Sequence, residues 1–135
     1  MTFEEVKNEL PNGFHDSNLR AITIDYVTQE ARLVFDIDVS DESLAERPAT
    51  LFLEGLAFCV IDLPDSNYPF DQGDRLWIDS IPLSKMTHLP DNLPPTPEGA
   101  FGHCFFVHNW NSFIYFAARN ARLEWDEDGS MSGGT

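Results

Sequence analysis

Apolar and polar residues alternate along two early stretches of the chain. Ile22, Ile24 and Tyr26 alternate with Ala21, Thr23 and Asp25, and Leu33, Phe35, Ile37 and Val39 with Val34, Asp36 and Asp38. Period-two alternation predicts two strands, each with one face on a core and one toward water. The link through Thr28, Gln29 and Glu30 is short enough for a tight antiparallel turn. Ahead of this hairpin, Phe3, Val6 and Leu10 recur at helical spacing and line one face. Thr2 and Glu5 have the spacing of a capping box, and Pro11-Asn12-Gly13 ends the helix.

The alternation then disappears. Residues 40–48 read as a polar loop, with Ser40, Asp41, Glu42 and then Arg47-Pro48. From Ala49 to Ile61 nearly every residue is apolar, which predicts one central strand covered on both faces. A buried helix is the competing reading. The β-branched and aromatic content favours the strand, and Gly55 marks a bulge or bend. Pro64–Gly73 is a loop, and Leu76, Trp77, Ile78 and Ile81 give another strand. Pro82, Pro90, Pro94, Pro95 and Pro97 break the stretch 82–99, a long surface excursion. Phe101–His108 and Phe113–Ala118 predict two strands joined at Asn109-Trp110-Asn111-Ser112, and Leu123 with Trp125 a third beyond the turn Arg119-Asn120. Short links favour antiparallel pairing. The expected fold is mainly β, an antiparallel sandwich or half-open barrel of about seven strands, with one short N-terminal helix closing an end or an edge. Residues 1–126 form a single β-rich domain, and 127–135 a flexible tail.

Length and charge narrow the function. A chain of 135 residues is one domain by default. Its 8 Lys and Arg against 23 Asp and Glu give a net charge of −15. Such a surface disfavours sequence-independent nucleic-acid binding, which needs cations to replace phosphate counterions. No apolar run approaches the ~20 residues of a membrane helix. The opening residues Thr2-Phe3-Glu4-Glu5-Val6 lack the basic and apolar regions of an export signal, so a cytoplasmic location is expected. Cys59 and Cys104 are then read as reduced, buried thiols.

Candidate chemistry is sparse. His15-Asp16 pairs an imidazole with an acid, a combination that serves metal binding or general base catalysis; local backbone capping by Asp16 is the plainer account. Cys104 and His108 share a strand face about 13 Å apart at roughly 3.3 Å per residue, too far for a nucleophile–base pair or a zinc site. Asp25, Asp36 and Asp38 lie on the polar face of the hairpin, where they form an acidic patch or bind a cation through oxygen. Trp110 sits at a turn, either exposed as a contact residue or folded onto the core. There is no phosphate-binding glycine loop, dinucleotide motif, GxSxG or HExxH. No cofactor and no metal is expected.

The run Leu10-Pro11-Asn12-Gly13-Phe14-His15-Asp16-Ser17-Asn18-Leu19, entering a strand with Ile24-Asp25, resembles small uncharacterised bacterial proteins, a likeness that covers the first half of this chain. So does Arg47-Pro48-Ala49 leading into Leu51-Phe52-Leu53-Glu54-Gly55. Some of those proteins are classed as immunity proteins of polymorphic toxin systems. The resemblance implies a cytoplasmic, non-enzymatic binding protein that neutralises a toxin. From the charge, the expected partner is a basic protein. The alternatives are a small-molecule binder with the aromatic C-terminal strands lining a pocket, and a hydrolase or lyase using His15, Asp16 or His103.

Overall fold

The computed structural model describes residues 1–15, 17–39, 46–65, 67 and 76–126. Helix α1 (Phe3–Asn8) is followed by β1 (Ser17–Asp25), β2 (Glu30–Asp38), β3 (Glu46–Glu54), β4 (Phe58–Ile61), β5 (Leu76–Pro82), β6 (Phe101–Val107), β7 (Ser112–Ala118) and β8 (Asn120–Trp125). The strands form one antiparallel sheet in the order β4-β7-β6-β5-β1-β2-β3-β8, not closed into a barrel. The predicted mainly antiparallel β class with one short N-terminal helix is what the chain adopts.

Helix α1 starts as its sequence dictates. The Glu5 backbone N–H donates to Thr2 Oγ1, and the Thr2 N–H to Glu5 Oε1, at 3.1 and 2.7 Å. Its apolar stripe is buried: Phe3 and Val6 face the core. The segment before it lies along β8, where the Ala121 N–H donates to the Met1 carbonyl at 2.7 Å. The N-terminus thus covers part of a sheet edge that would otherwise expose unpaired backbone.

The hairpin β1–β2 pairs in register from Asp25↔Glu30 to Asn18↔Asp36, with a bulge between Leu19 and Ala21. On β2, Leu33, Phe35 and Ile37 are buried as their alternation requires. On β1 the inward set fails beyond the bulge: Ile22 is half-buried, Ile24 exposed and Tyr26 fully out in solvent. The reason is the sheet order. Strand β5 pairs with β1 only at Ser17–Leu19, so beyond Leu19 β1 loses that cover, while Ala31 and Leu33 across from it on β2 stay buried.

The apolar run 49–61 is not one central strand. It divides at Gly55 into β3, between β2 and β8, and β4, at the opposite edge against β7. Strand β3 also begins earlier than the loop reading allowed, with Arg47 and Pro48 paired to Ile37 and Asp36. The C-terminal strands likewise do not form a meander. Only Arg119 separates β7 from β8, yet they pair with different partners, β7 with β6 and β4, β8 with β3. Two long bent ribbons, β3–β4 and β7–β8, therefore run together around one corner and fold the sheet over on itself. At the corner the Arg119 N–H donates to the Glu54 carbonyl, and the Ala57 N–H to the Ala117 carbonyl.

The enclosed space is filled by rings. Phe3, Phe14, Phe35, Phe105 and Phe116 are all fully buried. Neighbouring centroids lie 5.1 to 5.8 Å apart. Truncating a ring packed this way costs about 3–5 kcal/mol. A second cluster, Leu83, Cys104 and Tyr115 with Met86 and Leu93 against it, pins the proline-rich excursion to the outer side of the sheet. Pro82, the first residue of that excursion, ends β5; beyond it the described backbone holds one short 3-10 turn, 83–85, and no strand. The expected tail, 127–135, lies outside the described residues.

Candidate functional site

His15 is placed by the turn that ends α1. Gly13 takes φ +58°, and the Ser17 N–H closes onto the Phe14 carbonyl. Phe14 is driven into the core and His15 outward. Its partner is not a sequence neighbour. His15 Nδ1 lies 2.5 Å from Asp79 Oδ1, and His108 Nε2 lies 2.7 Å from Asp79 Oδ2. Strand register produces the meeting: β1 meets β5 at Ser17↔Ile78, and β5 meets β6 at Asp79↔Phe106. The Trp77 ring stacks on His108 at 4.2 Å, with the edge of Phe106 on its other flank at 4.8 Å. An ionised carboxylate only accepts, so both imidazoles donate and their tautomers are set by Asp79. A polar recess of about 520 Å³ opens beside the group, lined by Lys7, Asn8, Asn12, His15, Asp79 and Ser80.

Asp16, His15's expected partner, lies outside the described residues. Asp25, Asp36 and Asp38 do not gather into one patch. Asp25 sits at the hairpin tip, six residues along from Asp36 in the register, or about 20 Å at roughly 3.3 Å per residue. Asp36 is buried and pairs with Arg20 at 3.3 Å. Asp38 is at the α1 end, its carbonyl accepting from Asn12 Nδ2. Trp110 folds back against the main core. Among the described residues no group of three or more His, Cys, Asp or Glu is arranged to hold a metal ion.

The tip itself is unusual. Asp25 Oδ1 accepts from the Val27 and Thr28 N–H groups at 2.9 and 3.2 Å, fixing a turn in which Gln29 takes φ +56°. Tyr26 and Val27 are 91% and 92% exposed. Beneath them is a recess of about 330 Å³ walled by Ile24, Asp25, Leu56, Phe58 and Cys59. Turns favour Gly, Asn, Asp and Ser, so two large apolar groups here serve no local purpose.

Sequence reasoning singled out His15 but missed Asp79 and Trp77, and it weighed His108 only against Cys104. The available signal was the spacing of Trp77 and Asp79, which puts both on the face of β5 opposite buried Ile78. No family model, curated protein or solved structure matches this chain. No helix of the described residues is long and apolar enough to cross a membrane.

Proposed function

We propose that the protein is a non-enzymatic, cytoplasmic interaction protein that binds a basic protein partner through the β1–β2 tip. The supporting observation is the exposure of Tyr26 and Val27 beside the Asp25 carboxylate. Tyrosine is enriched among residues that dominate binding energy, because it supplies apolar area and a polar tip at low entropic cost. A neighbouring acid suits a Lys or Arg stacked on the ring. The net charge of −15 adds long-range attraction for a cationic surface. In its sharpest form the partner is a toxin acting on nucleic acid, which must be basic to bind phosphate, and the protein is its neutraliser. The buried phenylalanine cluster occupies the interior that a ligand cavity between the sheet halves would need, which favours a surface role over the small-molecule alternative.

The test is affinity capture from the source cells, followed by purification and titration of each captured protein. The expected result is a basic binder whose affinity drops at least tenfold, or about 1.4 kcal/mol, for a Tyr26→Ser, Val27→Ser double variant of unchanged fold. An acidic binder, or affinity indifferent to the tip, overturns the reading.

A further inference from the structure

Beside α1 lies a third recess, of about 360 Å³, independent of the hairpin tip. The chain has only two lysines, Lys7 and Lys85, and both line this recess. Helix α1 supplies Glu4 and Lys7. The 83–85 turn supplies Ser84 and Lys85. Strand β6 supplies His103, brought there by its pairing with Pro82.

Three features set the recess apart from an ordinary charged surface. Lys85 has no ion-pair partner among the described residues, although the chain carries 23 acids. Lys7 has one, Glu4 at 3.4 Å, so the two ammonium groups outnumber the single carboxylate. His103, with 4% of its side chain exposed, forms the floor. Its Nε2 is 3.5 Å from Glu4 Oε2, while its Nδ1 is buried with no hydrogen-bond partner among the described residues. Most buried polar atoms in folded proteins are satisfied. A buried imidazole with an unsatisfied nitrogen thus lines the same recess as two ammonium groups and the Ser84 hydroxyl. Lys7 is also held in place: its Cγ lies 3.0 Å from where a Cβ on Gly13 would stand, so its stem packs on the glycine backbone.

We propose that this recess binds a small molecule through an oxyanion head, a phosphate or a carboxylate, held between the Lys7 and Lys85 ammonium groups with the Ser84 hydroxyl donating to it. The ammonium groups supply charge-assisted hydrogen bonds. The exposed Glu4–Lys7 pair is weak enough to open for a competing anion. The volume leaves room for the body of a metabolite behind its head group.

The test is NMR titration of the full chain with inorganic phosphate and, separately, succinate, at ionic strength matched with sodium chloride. The expected result is saturable shifts at the Ser84 and Lys85 amides and the His103 ring with at least one probe. Lys85→Gln should weaken that binding at least tenfold, and Lys85→Arg should largely retain it. Lys85 is exposed, so folding is preserved in both variants and checked by the unchanged remainder of the spectrum. Saturation by phosphate alone assigns a phosphate ester, and by succinate alone a carboxylated ligand. Shifts that fail to saturate with either probe, or an affinity unchanged in Lys85→Gln, overturn the proposal.

Discussion

His103 is the residue whose protonation the fold most strongly opposes. Burial pushes its pKa from 6.5 down to about 4; the Glu4 carboxylate works against that shift, and Lys7 adds to it. The unfolded chain therefore takes up a proton near pH 6.5 that the folded chain refuses until about pH 4. Stability from this residue is complete above 6.5 and is lost progressively as the pH falls toward 4. At 1.36 kcal/mol per unit the loss reaches about 3 kcal/mol. Denaturant titrations at neutral pH and near pH 4.5 should show a larger acid loss for the native chain than for His103→Gln. Equal losses would assign acid sensitivity to the carboxylates instead. The two thiols show the same physics with opposite sign. Cys59 and Cys104 are unpaired, and burial raises them to about 11 and about 12, leaving little reactive thiolate at neutral pH. Cys104 was legible as buried from its apolar neighbours, whereas Cys59, read the same way, is only half-buried. The Asp79 cluster was not, because its members are joined by strand register rather than by spacing along the chain.

At the scale of elements, the corner between β3 and β4 carries the architecture. Gly55 has φ +63°, and a Cβ there would meet Arg119 Cβ at 3.0 Å and Cγ at 3.3 Å. Gly55→Ala must adopt a left-handed conformation and also displace Arg119. The expected cost is about 1–3 kcal/mol, read as a lower denaturant midpoint at unchanged slope. Adding Arg119→Ala should restore only a small part of the loss, since it removes the Cγ contact at 3.3 Å but leaves the Cβ contact at 3.0 Å and the strained backbone. A neutral or stabilised Gly55→Ala would show that the corner tolerates a side chain. The same corner explains what sequence patterning could and could not supply. The β1–β2 hairpin was readable because a short turn and alternating faces specify a local pair. The run 49–61 was misread as one strand because both of its halves are rich in apolar residues, and burial pattern alone cannot say that the partner changes midway. Gly55 held the clue: a bend divides the run. The meander expected of β7 and β8 failed for the matching reason, with Arg119 turning the chain around the corner rather than back on itself.

For the whole molecule, the imbalance of 23 acids against 8 cations dominates. The described ion pairs, such as Arg32–Glu30 and Arg122–Glu54, involve half-exposed side chains whose pairs contribute at most about 1 kcal/mol each. Arg32 and Arg122 also stack over Phe52 from either side, at 5.6 and 3.9 Å, and Arg47 over Trp125 at 4.3 Å. With self-repulsion outweighing attraction, added salt should raise the thermal midpoint between very low and physiological ionic strength, as screening shortens to about 8 Å. A midpoint that falls with salt would mean that the ion pairs outweigh the repulsion. The ribbon pairing carries a different consequence, for the order of events during synthesis. Among the described residues, strand β4 pairs with β7 alone and the outer side of β3 with β8 alone, more than fifty residues later in the chain. While a ribosome is still making the intervening segment, the apolar stretch 49–61 has emerged with its mates unmade. Contacts this distant in sequence close slowly, and unpaired strands invite association with other nascent chains. The β7–β8 ribbon is translated more than fifty residues after the β3–β4 ribbon that it seals, so protection of that stretch waits until β8 has been made.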